Sequence, residues 1–362
     1  MFGRFAGGGD KLNVNVTPEA SLVARPILAS ILLASILSVV ALSCSSPTPT
    51  VRSAKIFSSV VSLSLYDHAT DAAFEACFAR LREIDLNMNM WDDASELGRL
   101  NARAGKGPIP ASRDLVAAAA RGIELARLTG GVFDPSVGPL VRLWGIGGPD
   151  PRVPTQAQLL AARALVDWRR VTVDEAAGTI ALAPGMRLDF GALAKGYGAE
   201  EGGRVLAAMG VRSGLLDVGG CVLVIGSGPK GAAWRIGVQD PESARGSPLG
   251  YFSVRDAAVD TSGVYERFFE SAGHRYAHIM DTRTGLPVEG DVVSATVAVP
   301  RNQNSDGPPL AMLVLGMDGG LALADTLGIA AVLIGRDRRV HLSKAARGTF
   351  TLIDTSYSLS GK

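Results

Sequence analysis

The central stretch of the chain is MRLDFGALAKGYGAE, residues 186–200, in which an apolar run ends at Asp189 and a small-residue segment leads into a helix. The backbone of that segment is nearly bare because it carries Gly191, Ala192, Ala194, Gly196 and Gly198. Free N–H groups at a helix start, together with the helix dipole, favour an anion, and Lys195 adds a mobile positive charge. Two interpretations stay open from this stretch alone: a cradle for a phosphorylated ligand, and a tight strand-to-helix turn that is glycine-rich for packing.

The composition excludes several classes of protein. The chain has 362 residues and a formal net charge of +1, from 36 basic and 35 acidic residues, which gives no electrostatic case for nucleic-acid binding. A hydrophobic content of 47% with 43 glycines is typical of a globular protein with a large core and many tight turns. Cys44, Cys77 and Cys221 form no CxxC pair, and only His274 and His278 are close in sequence, so a Cys/His zinc site is not supported.

The N-terminal segment has the pattern of a secretory signal. A basic region, residues 1–25, precedes an apolar run over 26–43 that ends in small residues. Cys44 follows directly and resembles the cysteine of a bacterial lipoprotein signal, although Leu42 stands where a small residue is usual. The alternative is a single membrane-anchoring helix, for which the run is somewhat short.

Three segments are therefore expected along the chain. They are a signal peptide over residues 1–43, a lipidated tether over 44–54 that begins at Cys44, and one globular domain over 55–355. Because a lipoprotein cysteine carries several acyl chains, stable anchoring is expected. The protein is then exported and lipid-anchored to the bacterial cell envelope, on the periplasmic side of the inner or the outer membrane.

Periodicity and turn residues predict a mixture of helices and strands. Apolar spacing and capping residues predict helices near residues 70–86, 113–128, 155–168, 195–209 and 310–327. Strands are predicted near residues 56–66, 170–174, 179–183, 215–226 with a break at Gly219-Gly220, 234–238, 251–259, 275–280 and 292–299, followed by a hairpin that ends at 342. Residues 131–151 are predicted to form a long loop rich in glycine and proline. The elements do not alternate regularly as βαβ units, so the predicted class is α+β.

One motif in the sequence is misleading. Residues 226–231 satisfy the pattern GxGxxG after a strand, but the segment that follows, AAWRIGV, has the character of a strand. A dinucleotide-binding turn requires a helix at that place. We therefore predict a hairpin turn here and exclude an NAD-dependent dehydrogenase; a Ser-His hydrolase is excluded because the chain lacks a GxSxG elbow.

Five segments taken together resemble one family, the ApbE-type FAD:protein FMN transferases. LDFGALAKGY is similar to its DLGGIAKGY, GVFDPSVGPLVRLWG to its FDPTVGPLVNLWG, LLDVGGCVLVIG to its NLGGNIYVLG, and MNMWDDASELGRLN to its MSTYDPDSELSRLN. The most specific match is AVDTSGVYERFFESAGHRYAHIMDTRTGLPV, which is similar to ATSGDYERFFEKDGKRYHHIIDPRTGYPV. The matches follow the family order from about residue 56 to 343. The resemblance implies a single domain of mixed sheets flanked by helices, after a lipoprotein signal.

The resemblance also implies an activity. Members of the family cleave the pyrophosphate of FAD, attach FMN through a phosphoester to a threonine or serine hydroxyl of a target protein, and release AMP, with Mg²⁺. The implied partners are FAD and an exported respiratory or redox flavoprotein. Two alternatives stay open: an FAD-binding protein with weak or no pyrophosphatase activity, and a lipid-anchored flavin-binding scaffold without chemistry.

Site residues follow from the same resemblance. Trp91 stands where the family stacks an aromatic ring on the adenine. The other implied flavin-binding residues are Asp189, Lys195, Gly196, Gly219, Gly220, Thr261, Ser262, Gly263, Arg283 and Thr284. His278 is implied as catalytic, accepting the proton of the target hydroxyl, and Asp281 as the residue that orients the site through turn hydrogen bonds. For His278, Asp281 and the turn residues a structural role is the alternative.

The expected magnesium site departs from the family pattern. The family uses a backbone carbonyl of the central motif, here at Ala194, with an aspartate and a threonine of DALATALFVLG. The matching segment is DGPPLAMLVLG, which keeps Asp306 but has Leu310 where the threonine would be. Because an alkyl side chain cannot coordinate a hard cation, we expect a weakened metal site or one completed by water.

Overall fold

A nine-stranded sheet runs through the fold. The computed structural model describes residues 48–148, 150–301, 303 and 305–361. The helices are α1 Asp71–Met88, α2 Glu96–Ala102, α3 Arg113–Leu128, α4 Gly138–Trp144, α5 Gln156–Arg163, α6 Ala194–Ala208 and α7 Pro308–Leu327. The strands are β1 Thr50–Ile56, β2 Ser59–Leu65, β3 Ile109–Pro110, β4 Val171–Asp174, β5 Thr179–Leu182, β6 Gly214–Val218, β7 Cys221–Ile225, β8 Trp234–Gln239, β9 Pro248–Val254, β10 Ala257–Gly263, β11 Phe268–Ser271, β12 His274–Ala277, β13 Met280–Asp281, β14 Leu286–Pro287, β15 Val292–Pro300, β16 Ala330–Gly335, β17 Arg339–Leu342, β18 Phe350–Leu352 and β19 Ser358–Leu359.

The large sheet has the order β1-β2-β6-β7-β10-β15-β16-β17-β19, and only the β17–β19 pair is parallel. Its two faces bury different cores because side chains alternate along each strand. On β10, Ala258 belongs to the core under the helices, whereas Val259 packs toward the three-stranded sheet β18-β9-β8 with Ile236 and Phe252. The predicted α+β class is confirmed.

Helix α6 occupies the middle of the helical face, against α1, β6 and β7. Two of its glycines allow this close approach. A Cβ on Gly198 would lie 3.0 Å from the Phe57 ring, and one on Gly202 would lie 2.9 Å from Leu216. Gly198 of the central stretch therefore serves packing, which was one of the two interpretations of that stretch, the other being a phosphate cradle.

Local signals predicted several helices well. Thr70, Ser112 and Thr155 each accept a backbone N–H from the first turn of α1, α3 and α5, and Thr155 forms a capping box with Gln158. Helix α5 ends at Arg163 and is shorter than predicted. The signal peptide predicted over residues 1–43 and the lipidated Cys44 lie outside the described residues. Residues 50–54 of the predicted tether belong to β1, so the folded domain begins before residue 55.

Four predictions about connections were wrong. Residues 56–66 are not one strand, because Phe57 and Ser58 adopt positive φ and turn β1 into β2. The predicted loop over 131–151 contains α4. The strand predicted over 251–259 is the end of β9 and the start of β10. Residues 226–231 do not form a hairpin turn, because β7 and β8 belong to different sheets; a strand still follows them, as predicted.

Helix α7 is long and apolar enough to meet the length and composition criteria of a membrane span. In this fold it packs against β10, β15 and β16, and Ala311, Met312 and Leu313 are fully buried. It is interrupted at Gly316, which has φ 76°. The contacts identify α7 as a core helix.

Candidate functional site

A cleft of about 540 Å³ opens at the N-terminus of α6, beside β10 and the turn between β6 and β7. It brings together segments that are far apart in the sequence. The predicted site residues that line it are Trp91, Asp189, Lys195, Gly196, Gly219, Gly220, Thr261, Ser262, Gly263 and His278. The structure therefore assembles most of the flavin-binding and catalytic residues that the resemblance implied.

The first turn of α6 gives the cleft an electropositive end. The first N–H groups of a helix have no intrahelical acceptor and favour anions, and Lys195 and Gly196 of this turn line the cleft. The Lys195 ammonium donates to the carbonyl oxygen of Gly219 at 3.0 Å. Burial, and then the charge of Arg267, lower the pKa of Lys195. This end suits a phosphate group.

Asp189 fixes the chain just before α6. Its Oδ1 accepts the N–H of Gly191 at 2.8 Å, and its own N–H donates to the Pro135 carbonyl at 2.9 Å. Burial raises the pKa of the carboxyl group. Asp189 thus holds the turn that presents the small-residue segment to the cleft.

The turn between β6 and β7 requires glycine. Gly219 and Gly220 have φ values of 60° and 104°, which L side chains rarely adopt. A Cβ on Gly219 would also lie 2.4 Å from the Ser59 hydroxyl oxygen. Asp217 Oδ1 accepts the Gly220 N–H at 2.9 Å. The turn thereby presents the Gly219 carbonyl to Lys195.

Trp91 stands at one side of the cleft. The guanidinium of Arg142 lies 5.9 Å from the centre of its ring, and Asn89 Oδ1 accepts the Trp91 N–H at 3.0 Å. A Cβ on Gly148 would approach the ring to 2.7 Å. The tryptophan is partly buried and keeps access to the cleft, as a stacking platform requires.

His278 is held in one tautomer. Its Nδ1 lies 3.1 Å from the carbonyl oxygen of Arg267, which also accepts the His278 backbone N–H at 3.0 Å. Because a carbonyl only accepts, Nδ1 carries the proton and Nε2 is the basic nitrogen. Burial lowers the pKa of His278 to about 4. The ring is therefore neutral at physiological pH and can accept a proton at Nε2.

Asp306 is buried against the first turn of α6 and is bonded to Arg121 of α3. Its Oδ2 accepts Arg121 Nη1 at 2.9 Å, and Arg121 Nη2 binds Glu200 at 3.0 Å. The other oxygen, Oδ1, is buried and has no hydrogen-bond partner among the described residues. A Cβ on Gly196 would lie 2.1 Å from Oδ1, so only glycine fits there. Burial raises the pKa of Asp306 to about 6, against the lowering effect of Arg121.

Asp260 is a site residue that the sequence analysis missed. It lies on β10 directly before Thr261, and its side chain lines the cleft. Burial and then the nearby charge of Asp306 raise the pKa of Asp260 to about 7, while Lys195 lowers it. Its position next to the predicted hydroxyl-rich turn was the only sequence signal that could have indicated it.

The donor set fits a divalent cation bound together with a substrate. Among the described residues, no group of three or more His, Cys, Asp or Glu side chains could hold a metal. The unpartnered Oδ1 of Asp306 is nevertheless an oxygen donor of the kind that Mg²⁺ prefers, and Mg²⁺ usually completes its shell with water and phosphate oxygens. Leu310 lines the cleft and offers no donor. Ala194 is the buried first residue of α6.

Five predicted site residues do not line the cleft: Asp306 and Ala194, described above, and Asp281, Arg283 and Thr284 of a single turn. The carboxylate of Asp281 accepts the Arg283 N–H at 2.9 Å and its Nη2 at 2.8 Å, so Asp281 holds the turn after β13. Arg283 lines a neighbouring cleft with Arg163 and Trp168. Thr284 binds within the same turn and lines neither cleft. The turn-forming role proposed for Asp281 agrees with these contacts.

Other cleft residues were given no role from the sequence, although Asp217, Tyr265, Glu266 and Arg267 lie in the matched segments. They include Ser58, Ser59, Asp217, Gln239, Arg245, Tyr265, Glu266 and Arg267. Ser58 and Ser59 enter through the unpredicted turn between β1 and β2, and Gln239 and Arg245 enter from the second sheet and the loop after it. Only the tertiary fold places these side chains beside α6.

Comparison with known proteins gives one consistent result. The sequence profile of the ApbE family matches residues 57–333. The chain is 35% identical over 303 residues to an FAD:protein FMN transferase of Treponema pallidum, which covers 80% of this chain and 84% of that protein. It is 33% identical over 258 residues to the FAD:protein FMN transferase of Vibrio cholerae; the aligned region covers 70% of this chain and 76% of that protein. The fold matches the apo flavinyl transferase ApbE of Pseudomonas stutzeri with a TM-score of 0.75 and 28% identity, over 85% of this chain and 98% of that one.

Proposed function

The chain belongs to the ApbE family, and we propose on this premise that it is an FAD:protein FMN transferase. The observation that carries the proposal is a neutral His278 in the same cleft as the electropositive first turn of α6. A general base beside a phosphate-binding helix end is the arrangement that phosphoryl transfer to a hydroxyl needs. Relatives that cover most of this chain carry the same activity in their names.

The proposed reaction joins FMN to a protein hydroxyl. The oxygen of a threonine or serine on the target attacks the phosphorus that belongs to the FMN half of FAD. The bond from this phosphorus to the bridging oxygen breaks, and AMP leaves with that oxygen. Nε2 of His278 accepts the hydroxyl proton, while the Nδ1–H bond to Arg267 holds the ring in place. The products are the flavinylated protein and AMP.

Charge on the pyrophosphate is neutralised from the α6 side. Lys195 and Gly196 of the first turn line the cleft, and donors fixed at such a place stabilise developing charge without reorganisation. We propose that Mg²⁺ is bound here by Asp306, with the backbone at Ala194. Bound there, the ion would neutralise the phosphate oxygens as a Lewis acid. Trp91 would stack on the adenine, leaving Thr261, Ser262 and Gly263 for the flavin and phosphate portions.

The target and the location of the enzyme are further parts of the proposal. We infer an exported flavoprotein as the target, and anchoring of the enzyme through lipid on Cys44, from the signal-like pattern of residues 1–43. Metabolic labelling with a fatty acid tests the anchor. The wild-type chain should be labelled and Cys44→Ser should not; labelling of both would contradict the anchor.

One experiment separates transfer from the two alternatives. The full-length chain is incubated with FAD and Mg²⁺, with and without envelope proteins of the producing cells, and AMP is measured. A transferase releases AMP in proportion to the added acceptor. Acceptor-independent release would indicate a hydrolase, and no release in either case would indicate a flavin-binding protein without chemistry.

A further inference from the structure

A buried carboxylate oxygen of Asp306 is directed at the first turn of α6. The side chain is only 1% exposed, and Oδ1 has no partner in the described part of the chain. The close fit against Gly196, where a Cβ would lie 2.1 Å from Oδ1, shows that this oxygen faces the helix end that lines the cleft. An unpartnered buried carboxylate oxygen is costly unless a ligand satisfies it.

The strand register places Asp260 near Asp306. Asp260 pairs with Cys221 across β10 and β7, and directly opposed residues share a face with Cβ atoms about 5 Å apart. Cys221 Sγ in turn lies 3.8 Å from the hydroxyl oxygen of Ser305, the residue before Asp306. Asp260 also lines the cleft beside Lys195. Two carboxylates from separate elements therefore converge beside α6.

No protein cation bridges the two carboxylates. Arg121 binds Oδ2 of Asp306 and directs its other nitrogen to Glu200. Lys195 donates to the Gly219 carbonyl. Among the described residues, no cationic side chain lies within ion-pair distance of Asp260, and Lys195 lowers its pKa through charge alone. A pair of this kind leaves room for an external cation that both oxygens can bind.

We propose that Asp260 is a ligand of the divalent cation in this chain and shares the ion with Asp306. This deepens the proposed function and rests on it. Leu310 lines the same cleft without an oxygen, so Asp260 supplies the second side-chain donor. Substrate phosphates and water complete the shell, as is usual for Mg²⁺. With this ligand, the site does not need a hydroxyl at position 310.

Binding of Mn²⁺ tests the proposal without measuring turnover. The full-length chain is titrated with Mn²⁺ in the presence of saturating FAD and no acceptor, and free Mn²⁺ is followed by electron paramagnetic resonance. Asp260→Asn should weaken Mn²⁺ binding tenfold or more, by analogy with the roughly 10- to 100-fold losses seen when metal-site partners are changed. Asp325→Asn is the control, because it removes the same charge from a residue that binds Lys344 outside the cleft; its Mn²⁺ affinity should stay within about twofold of wild type.

A rescue variant distinguishes ligation from a structural role. Asp260→Asn combined with Leu310→Thr should recover part of the lost Mn²⁺ affinity, because threonine restores an oxygen beside the ion. Asp260→Ala, which introduces no larger group, should show the same loss as Asp260→Asn. FAD binding without metal, measured for each variant, establishes that the cleft is intact.

The outcomes separate the two proposals. The assignment of Asp260 would be overturned if Asp260→Asn or Asp260→Ala bound Mn²⁺ as tightly as the wild-type chain. It would also be overturned if the wild-type chain bound no Mn²⁺ in the presence of FAD. If FMN transfer is then still observed, the proposed function stands. If Asp260 governs Mn²⁺ binding but no FMN is ever transferred, the ligand assignment stands and the proposed function fails.

Discussion

Nδ1 of His278 lies 3.1 Å from the main-chain oxygen of Arg267, and this contact determines which ring nitrogen is basic. The carbonyl cannot donate, so the proton is on Nδ1 and the lone pair is on Nε2. A backbone acceptor holds the ring without adding a negative charge. Burial then keeps the ring neutral, because a charged imidazolium would have no counter-charge at Nδ1.

Replacement of His278 should abolish transfer and spare binding. General base assistance contributes about 10²- to 10⁴-fold, so His278→Ala should lose flavin transfer to that extent while its FAD affinity, measured by calorimetry, stays near wild type. His274→Ala is the control, since His274 is half exposed and bonds Glu289. Full transfer by His278→Ala would place the base elsewhere.

The imidazole of His278 should titrate at unusually low pH. Its pKa is lowered from 6.5 to about 4, so the neutral base form is dominant above about pH 5 and is lost as the pH falls through 4. Nitrogen NMR of histidine-labelled protein without ligands gives the midpoint, with His278→Gln assigning the signal. A midpoint near 6.5 would show that the ring is solvated and not held as described.

Trp91→Ala should weaken FAD binding selectively. Base–aromatic stacking contributes about 1–3 kcal/mol, which corresponds to roughly ten- to hundredfold in affinity. FMN and riboflavin lack adenine, so their affinities should not change. Trp91→Phe, which keeps an aromatic face, should retain part of the FAD affinity. An equal loss for FAD and FMN would mean that Trp91 supports the cleft and does not stack on adenine.

Gly196→Ala should weaken metal binding in the presence of FAD. The added Cβ would lie 2.1 Å from Oδ1 of Asp306, so either the carboxylate or the helix must shift, at a cost of about 1–3 kcal/mol. We expect Mn²⁺ binding with FAD to fall at least tenfold, alongside a lower urea midpoint. Gly319→Ala is the control, because the atoms nearest to its added Cβ belong to the flexible Leu315 side chain of the same helix. Unchanged Mn²⁺ binding in Gly196→Ala would remove Asp306 from the metal site.

The sequence predicted those parts of the fold that short segments specify. Ser112 and Thr155 mark helix starts by capping, and apolar spacing gives the extent of α1 and α3. Helix α4 was missed because Gly138 and Pro139 have the composition of a loop. In the structure Gly138 lies against Arg187, where a Cβ would be 2.7 Å from its carbonyl oxygen, so its role depends on a distant partner.

In the site, too, short motifs could be recognised from the sequence, whereas residues that depend on distant partners could not. The residues that the resemblance implied for flavin binding lie in continuous motifs, and most of them line the cleft, whereas Arg283 and Thr284 do not. Asp260 and Arg121 act through neighbours that are distant in the sequence, since Arg121 meets Asp306 across 185 positions. No local pattern predicts such a contact. Strand order, which places Asp260 opposite Cys221, has to be known first.

Covalent flavin on a protein acceptor tests the central claim most directly. Envelope proteins of the producing cells are incubated with the full-length chain, FAD and Mg²⁺, denatured, and separated, and the fluorescent bands are analysed by peptide mass spectrometry. We expect FMN joined to a threonine or serine through a phosphoester, formed by the wild-type chain and not by His278→Ala. Consumption of FAD with no protein-bound FMN would contradict this expectation.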